Sequence, residues 1–243
     1  MPPIALTAQD VETPVTGYSL CHFRRMLRVL FRCEPRFAID FTMAKPLQRD
    51  ERDIRLPPGQ YLVTSFPVLS YGPTPRFNPA KWDFRVLGLV ENPLRLSWEE
   101  LRKLPALSQT SDFHCVTTWS RYDNRWEGVK VSELMKLVTL KPQARHVFVH
   151  CDGGYTTNLQ IDEFLDKDVM LAYRHDGKDL EPDHGWPLRL VVPKLYGWKS
   201  AKWVRAIEFC AKERRGFWEV RGYHNHGDPW TEERYSFQED SDE

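Results

Sequence analysis

Ser111-Asp112-Phe113-His114-Cys115-Val116-Thr117-Thr118-Trp119-Ser120 sets one cysteine among aromatic and hydroxyl residues, and Trp126-Glu127-Gly128-Val129 follows closely. Alternation from Asp112 to Val116 predicts the end of a β-strand that runs into a loop. A thiol in such a place is a soft metal ligand, a nucleophile or a small apolar core residue. On residue types alone, a buried structural cysteine is the first interpretation, and neighbouring motifs must decide between the three.

The composition limits the class of protein. A chain of 243 residues suits one large domain or two small ones. Its 34 basic and 34 acidic residues balance, so the net charge gives no reason to expect binding to nucleic acid or to an acidic membrane surface. Eighteen prolines and many aromatic residues indicate a fold rich in turns and strands.

The cysteines are irregularly spaced and odd in number: Cys21, Cys33, Cys115, Cys151 and Cys210. Because no Cys-x-x-Cys occurs, a zinc site or a disulfide framework is disfavoured. Reduced thiols in a cytoplasmic protein are the simplest interpretation. Arg24-Arg25 is not followed by an uninterrupted apolar run, and no stretch of the chain is apolar enough to span a membrane. We therefore expect a cytoplasmic protein without a membrane span.

The chain divides into three predicted parts. Residues 1–50 form an N-terminal extension, in which Phe23 to Phe31 has the spacing of a short amphipathic helix. This helix either packs on the domain, which we favour, or docks a partner. Residues 51–235 form the main domain, and residues 236–243 form an acidic, disordered tail.

Short strands joined by turns dominate the main domain, which predicts an α+β fold of strand-dominated mixed sheets with short helices. Ser97-Trp98-Glu99-Glu100 is a capping box that opens a short helix, and a second helix is predicted near Ser132 to Val138. Asp176-Gly177 is a hairpin signal. The predicted strands are Trp82 to Val90, His146 to Cys151, Val169 to Tyr173, Leu188 to Val192 and Trp203 to Phe209.

Two later segments are informative when they are considered together with the cysteine stretch. They are His184-Gly185-Trp186-Pro187-Leu188-Arg189-Leu190-Val191-Val192-Pro193 and Gly197-Trp198-Lys199-Ser200-Ala201-Lys202-Trp203. Together, and in this order, these segments resemble the molybdenum-ligand and pterin-binding segments of the sulfite oxidase family of molybdopterin enzymes. The resemblance covers roughly residues 66 to 223. It implies the sulfite oxidase molybdopterin-binding fold and a molybdenum-molybdopterin cofactor.

The resemblance also implies roles for individual residues. Cys115 is the implied thiolate ligand of molybdenum, and Tyr223 the active-site tyrosine, with a packing role as its alternative. The implied cofactor-binding residues are Ser70, Tyr71, Asp152, His184, Arg189, Ser200, Ala201 and Lys202. Asp152 is almost equally well explained as a turn residue. Arg189 lies inside an apolar strand, where an unpaired arginine is costly, so it requires an anionic partner.

The sequence departs from true sulfite oxidases at the positions that bind the sulfite anion. Leu69 stands where those enzymes carry an arginine, and Trp119-Ser120 stands where they carry a pair of arginines. Without these cations an oxyanion substrate loses its binding charge. We therefore expect two-electron oxygen-atom transfer on a small S- or N-oxide rather than on sulfite. The electron donor or acceptor is expected to be a separate protein or small carrier.

Three alternatives stay open. The first is a non-catalytic protein that binds or carries the cofactor. The second is a metal-free cysteine hydrolase that uses Cys115 and His114, although adjacent residues of an extended chain face opposite ways. The third concerns His224, His226 and Asp228, which are spaced closely enough to bind a metal, although the turn residues between them favour a solvated loop.

Overall fold

The computed structural model describes residues 54–239. The predicted N-terminal extension with its helix, and the last four residues of the chain, lie outside this range. Within it, none of the helices is long and apolar enough to cross a membrane.

The strands are β1 Tyr61–Leu62, β2 Asp83–Gly88, β3 Leu94–Ser97, β4 Ala106–His114, β5 Trp119–Lys130, β6 His146–Cys151, β7 Thr156–Gln160, β8 Met170–His175, β9 Lys178–Asp179, β10 Arg189–Val191 and β11 Val204–Cys210. The α-helices are α1 Trp98–Arg102, α2 Val131–Leu134 and α3 Ile161–Phe164.

The first sheet carries the cysteine stretch. Its strand order is β1-β5-β8-β10, with β4 paired to β5 and β9 paired to β8. β4 and β5 form an antiparallel hairpin whose tip is the turn from Cys115 to Thr118. The Cys115 N–H donates to the Trp119 carbonyl at 2.8 Å, and Thr118 takes a positive φ of 76°. The sheet therefore presents Cys115 at a sharp, hydrogen-bonded strand end.

The second sheet runs in the order β3-β2-β11-β6-β7. Its central strand β11 pairs parallel with β2 and antiparallel with β6. The β6 strand ends at Cys151, and the turn that leads to β7 begins at Asp152. Only short helical pieces connect these strands, and the architecture is the mixed, strand-dominated α+β fold that the sequence predicts.

Two apolar clusters stabilise the domain. The larger cluster includes Phe84, Val149 and Ile207, and the smaller surrounds the cysteine turn with aromatic rings. In the smaller cluster the ring of Phe66 lies 5.0 Å from Phe113 and 5.7 Å from Trp119, edge to face in both cases. Edge-to-face contacts of this kind add to the stability that burial of the rings provides.

Several predicted elements are confirmed. β6 has the predicted bounds, and the capping box at Ser97 is complete, since its hydroxyl accepts from the Glu100 N–H while the Glu100 carboxylate accepts from the Ser97 N–H. The β8–β9 hairpin turns at Asp176-Gly177, both with positive φ. The sequence did not predict β5, the longest strand. Residues Ser236–Gln238, assigned to the acidic tail, form a 3₁₀ helix.

Candidate active site

A cavity of about 490 Å³ opens beside the cysteine turn. Side chains from the first sheet, from the turn after β6 and from the loops after Thr64, after Val191 and after Gly216 line it. We name two of its sides. The basic wall consists of His184, Arg189, Ser200 and Lys202, and the cysteine wall consists of Cys115, Thr117, Trp218 and Tyr223. The cavity thus brings together segments that are far apart in the sequence.

Cys115 is buried but reaches the cavity. Its Sγ lies 3.1 Å from the Thr117 Oγ1, which can donate a hydrogen bond to a thiolate. Burial raises the pKa of the Cys115 thiol above its usual value, while the bond to Thr117 and the charge of Arg234 act in the opposite direction. The protein alone therefore favours a neutral thiol, and a thiolate at this place needs an added positive charge, such as a metal ion.

Arg189 opens β10 and is 2% exposed. Its Nη1 donates to the His184 carbonyl and its Nη2 to the Ser200 carbonyl, each at 3.0 Å. Its Nε has no hydrogen-bond partner, and no carboxylate pairs with it in the described part of the chain. Burial lowers the pKa of Arg189 to about 9. An arginine held in this way still requires the anionic partner that the sequence predicted.

Lys202 and His184 complete the basic wall. The Lys202 Nζ donates to the Leu69 and Asp183 carbonyls, each at 2.8 Å, and to the Ser70 hydroxyl. Burial and the charge of Arg189 lower the pKa of Lys202 to about 7. The His184 Nε2 donates to the Phe66 carbonyl at 3.0 Å, and burial lowers the pKa of its imidazole. Both side chains are therefore held in place by protein oxygens.

The remaining residues implied for cofactor binding differ in their placement. Ser70 and Tyr71 line the cavity on the loop that faces Lys202, and Asp152 lines it from the turn after β6, where its carboxylate accepts from Arg205 at 3.0 Å. Ala201 does not line the cavity, because its side chain is buried in the larger apolar cluster. Only its backbone is available, and its carbonyl accepts from the Leu190 N–H at 2.8 Å.

Tyr223 also lines the cavity. Its ring stacks on Trp218, with centroids 5.1 Å apart and planes 17° apart, and meets the edge of Trp198 at 5.2 Å. Burial and the proximity of Cys115 raise the pKa of the Tyr223 phenol. The hydroxyl therefore stays protonated at neutral pH and can donate a hydrogen bond.

Two alternative sites lose support from the geometry. The His114 ring does not line the cavity, and its Nδ1 lies 2.8 Å from the Ser120 Oγ, so His114 does not serve as the base for Cys115. The imidazole of His226 bridges Glu163 and Glu233, which raise its pKa to about 9. Within the described residues, no group of His, Cys, Asp and Glu side chains is arranged to hold a metal by itself.

Sequence reasoning missed several residues of the site. Thr117, Trp198 and Trp218 line the cavity, and Arg234 donates to the Val116 carbonyl at 2.6 Å from behind the cysteine turn. Thr117 stands two residues after the cysteine, which was a usable signal, since hydroxyl residues often bond nearby groups. Arg234 gave no local signal because it lies far from Val116 in the chain.

Comparisons with known proteins agree with this geometry. The family described as the oxidoreductase molybdopterin binding domain matches residues 71–218. The chain belongs to this family of molybdopterin oxidoreductases. Its cofactor is accordingly molybdenum-molybdopterin, as the sequence predicted.

Individual relatives differ in how much of them the chain spans. It is 44% identical over 191 residues to the uncharacterized oxidoreductase YuiH of Bacillus subtilis (strain 168), covering 78% of this chain and 96% of that protein. It is 30% identical to sulfite oxidase of Arabidopsis thaliana, covering 69% of this chain and 53% of that protein. It is 32% identical to the protein-methionine-sulfoxide reductase catalytic subunit MsrP of Campylobacter jejuni, covering 59% of this chain and 54% of that protein.

The fold also matches a solved structure. The sulfane dehydrogenase SoxCD of Paracoccus pantotrophus superposes with a TM-score of 0.54 at 19% identity, covering 74% of this chain and 57% of that chain. At this identity the match supports the fold and nothing finer. It confirms the sulfite oxidase molybdopterin-binding architecture predicted from the sequence.

The residues of the cavity fit the cofactor chemically. The pterin carries a phosphate, and the basic wall offers a buried guanidinium with a free Nε together with the Lys202 ammonium. Gly197 allows close packing at the cavity, since a Cβ there would lie 2.5 Å from the Phe113 ring. Soft sulfur ligands suit molybdenum, and Cys115 offers a sulfur in the same cavity as the cations.

Proposed function

We propose that this oxidoreductase catalyses two-electron oxygen-atom transfer at a molybdenum centre bound by Cys115. The observation that carries the proposal is that Cys115 lines the same cavity as Arg189, an arginine without an acidic partner among the described residues. Molybdenum held in this way cycles between its +6 and +4 states and so supplies the oxygen-atom transfer itself. The protein supplies position and electrostatics.

The roles of the side chains follow from their contacts. Arg189 and Lys202 would bind the anionic end of the cofactor. The backbone carbonyls of His184 and Ser200 keep Arg189 in place, and the Leu69 and Asp183 carbonyls keep Lys202 in place. Cys115 binds the metal, and Thr117 donates a hydrogen bond to its sulfur. The Tyr223 hydroxyl, which stays protonated at neutral pH, would donate a hydrogen bond to the oxygen of the bound oxide.

The substrate that fits best is a small neutral S- or N-oxide. The cysteine wall carries no cationic side chain, and Leu69 stands at the cavity rim where a sulfite-binding arginine would be needed. Relatives carry the names sulfite oxidase, nitrate reductase and protein-methionine-sulfoxide reductase. Among these substrate types, an uncharged sulfoxide loses the least binding free energy when the cysteine wall is neutral.

Electrons come from a separate donor, a redox protein or a small carrier. The described cysteines Cys115, Cys151 and Cys210 are all free thiols, which supports the expected cytoplasmic location.

The test is to purify the wild-type protein and Cys115→Ser from a host that makes the cofactor. We expect near-stoichiometric molybdenum in the wild type. In Cys115→Ser we expect a changed absorption spectrum and a loss of activity greater than about 100-fold, which exceeds the loss caused by removing outer partners of a metal ligand. Molybdenum content is measured by elemental analysis, and activity with dimethyl sulfoxide, trimethylamine N-oxide and a chemically reduced viologen.

Three outcomes would contradict the proposal. If wild type and Cys115→Ser have the same absorption spectrum, Cys115 is not the ligand of molybdenum. Efficient sulfite oxidation at low micromolar substrate would contradict the substrate class. Stoichiometric cofactor without any oxide reduction would favour a carrier protein over an enzyme.

A further inference from the structure

The turn that carries Cys115 is held from behind by two side chains. The Gln60 Nε2 donates to the Cys115 carbonyl at 3.2 Å, and the Arg234 Nη1 donates to the Val116 carbonyl at 2.6 Å. Both residues lie outside residues 71–218, the range that matches the family. The segments that flank the matched domain on either side thus meet at its cysteine.

The environment of Arg234 is unusual for a structural arginine. Its side chain is 12% exposed, and its Cζ lies 5.0 Å above the ring of Tyr196. Its Nη2 is buried without a hydrogen bond, and the nearest carboxylate oxygen, on Glu232, is 3.5 Å away. Arg234 does not line the cavity, so it cannot bind the substrate or the pterin directly. Its positive charge is therefore only partly neutralised, directly behind the cysteine turn.

We infer that Arg234 is a positioning residue for the metal ligand, which holds the turn so that the Cys115 sulfur faces the cavity and raises the reduction potential of the bound molybdenum. Gln60 also holds the turn, but it does not raise the reduction potential, because its amide is neutral. The inference rests on the proposed ligation of molybdenum by Cys115.

The direction of the effect follows from charge. Reduction adds negative charge to the metal centre, and a nearby cation stabilises the reduced form more than the oxidised form. Loss of Arg234 should therefore lower the reduction potential. Loss of the Glu232 carboxylate, which offsets part of the Arg234 charge, should raise it. Opposite shifts from two neighbouring residues are not expected from simple loosening of the fold.

The experiment compares Arg234→Gln and Glu232→Gln with the matched control Arg214→Gln, which removes an exposed arginine paired with Glu208. Molybdenum content, the midpoint potential of the bound metal and hydrogen–deuterium exchange of the peptide covering residues 113–120 in cofactor-free protein are measured. For Arg234→Gln we expect a lower potential, faster exchange in this peptide and activity about 10- to 100-fold lower. For Glu232→Gln we expect a higher potential, and for Arg214→Gln no change.

Each other outcome is decisive. If Arg234→Gln matches Arg214→Gln in potential and exchange, the inference is wrong. If Arg234→Gln does not fold or does not hold the cofactor, the exposed Glu232→Gln variant decides, and an unchanged or lower potential there overturns the inference. If the Cys115→Ser spectrum equals that of the wild type, it is the ligation proposal that fails.

Discussion

The basic wall and the cysteine wall line the same cavity, yet they are built on opposite principles. The basic wall concentrates charge: Arg189 and Lys202 are buried, bonded to backbone carbonyls, and carry pKa values lowered by burial. The cysteine wall is neutral on its inner face, and burial raises the pKa values of Cys115 and Tyr223. In both walls, burial disfavours the charged form of the side chain.

The difference indicates a division of labour. The basic wall stays costly until an anion arrives, so its charge is suited to holding the cofactor. The cysteine wall gains nothing from an anion, which is consistent with the neutral substrate proposed above. Changes in the basic wall should therefore alter cofactor binding, whereas changes in the cysteine wall should alter turnover or substrate choice with the cofactor retained.

The largest expected effect comes from Arg189→Met, which keeps the length of the side chain and removes its charge. A hydrogen bond to a charged group contributes about 1.5–3 kcal/mol, so we expect cofactor binding to weaken roughly 100-fold. Molybdenum and pterin content after purification measure this. Arg145→Met is the matched control, because Arg145 also donates to two backbone carbonyls but is exposed. Full cofactor content in Arg189→Met would refute the assignment of the basic wall.

Tyr223→Phe tests the cysteine wall in the opposite sense. The ring should keep its stacking on Trp218, so cofactor content should equal that of the wild type. Loss of a positioned proton donor should lower kcat about 100-fold. Tyr235→Phe is the control, since the centroid of the Tyr235 ring lies 6.1 Å from that of Tyr223 but Tyr235 does not line the cavity. A kcat equal to that of the Tyr235→Phe variant would reduce Tyr223 to a packing residue.

The two walls were not equally predictable from the sequence. The basic wall lies in two consecutive segments, and Arg189 drew attention because a cation inside an apolar run requires an explanation. Lys202 and Ser200 followed from the resemblance. In the cysteine wall, Cys115 and Tyr223 also followed from the resemblance, whereas Thr117 and Trp218 were not predicted. Arg234, which supports this wall from behind, reaches the turn only through the tertiary fold. Contacts of this kind leave no local pattern.

The fold shows the same limit. Local chemistry was enough for the Ser97 capping box and for the Asp176-Gly177 turn, since each depends on a few adjacent residues. β5 was missed because it carries Asp123, Asn124 and several arginines, which are poor strand formers or neutral. It is a strand because β4 and β8 pair with it on both sides, and pairing partners cannot be identified from periodicity alone.

Leu69→Arg should increase the activity with anionic substrates, because it places a positive charge at the rim of the cavity. Leu69 lines the cavity and is 40% exposed, so an arginine there can reach the opening without burial. One charge-assisted hydrogen bond should improve kcat/KM for sulfite by about tenfold. Val68→Arg is the matched control, because Val68 is similarly exposed but does not line the cavity. If both variants gain equally, the effect is one of general surface charge and not of the rim.

The smallest expected effect is the pH dependence of cofactor binding that Lys202 causes. Its folded pKa of about 7 lies below the ordinary lysine value, so in cofactor-free protein the ammonium is charged below pH 7 and neutral above it. An anion binds the charged form better, and affinity should fall as pH rises from 6 to 8.5, by up to about tenfold. Reloading of cofactor-free protein measures this. Lys202→Met should bind more weakly and lose this part of the slope, whereas Lys194→Met, which removes a surface lysine paired with Asp166, should keep it. The same slope in Lys202→Met and wild type would show that the cofactor's own ionisation, and not the basic wall, sets the pH dependence.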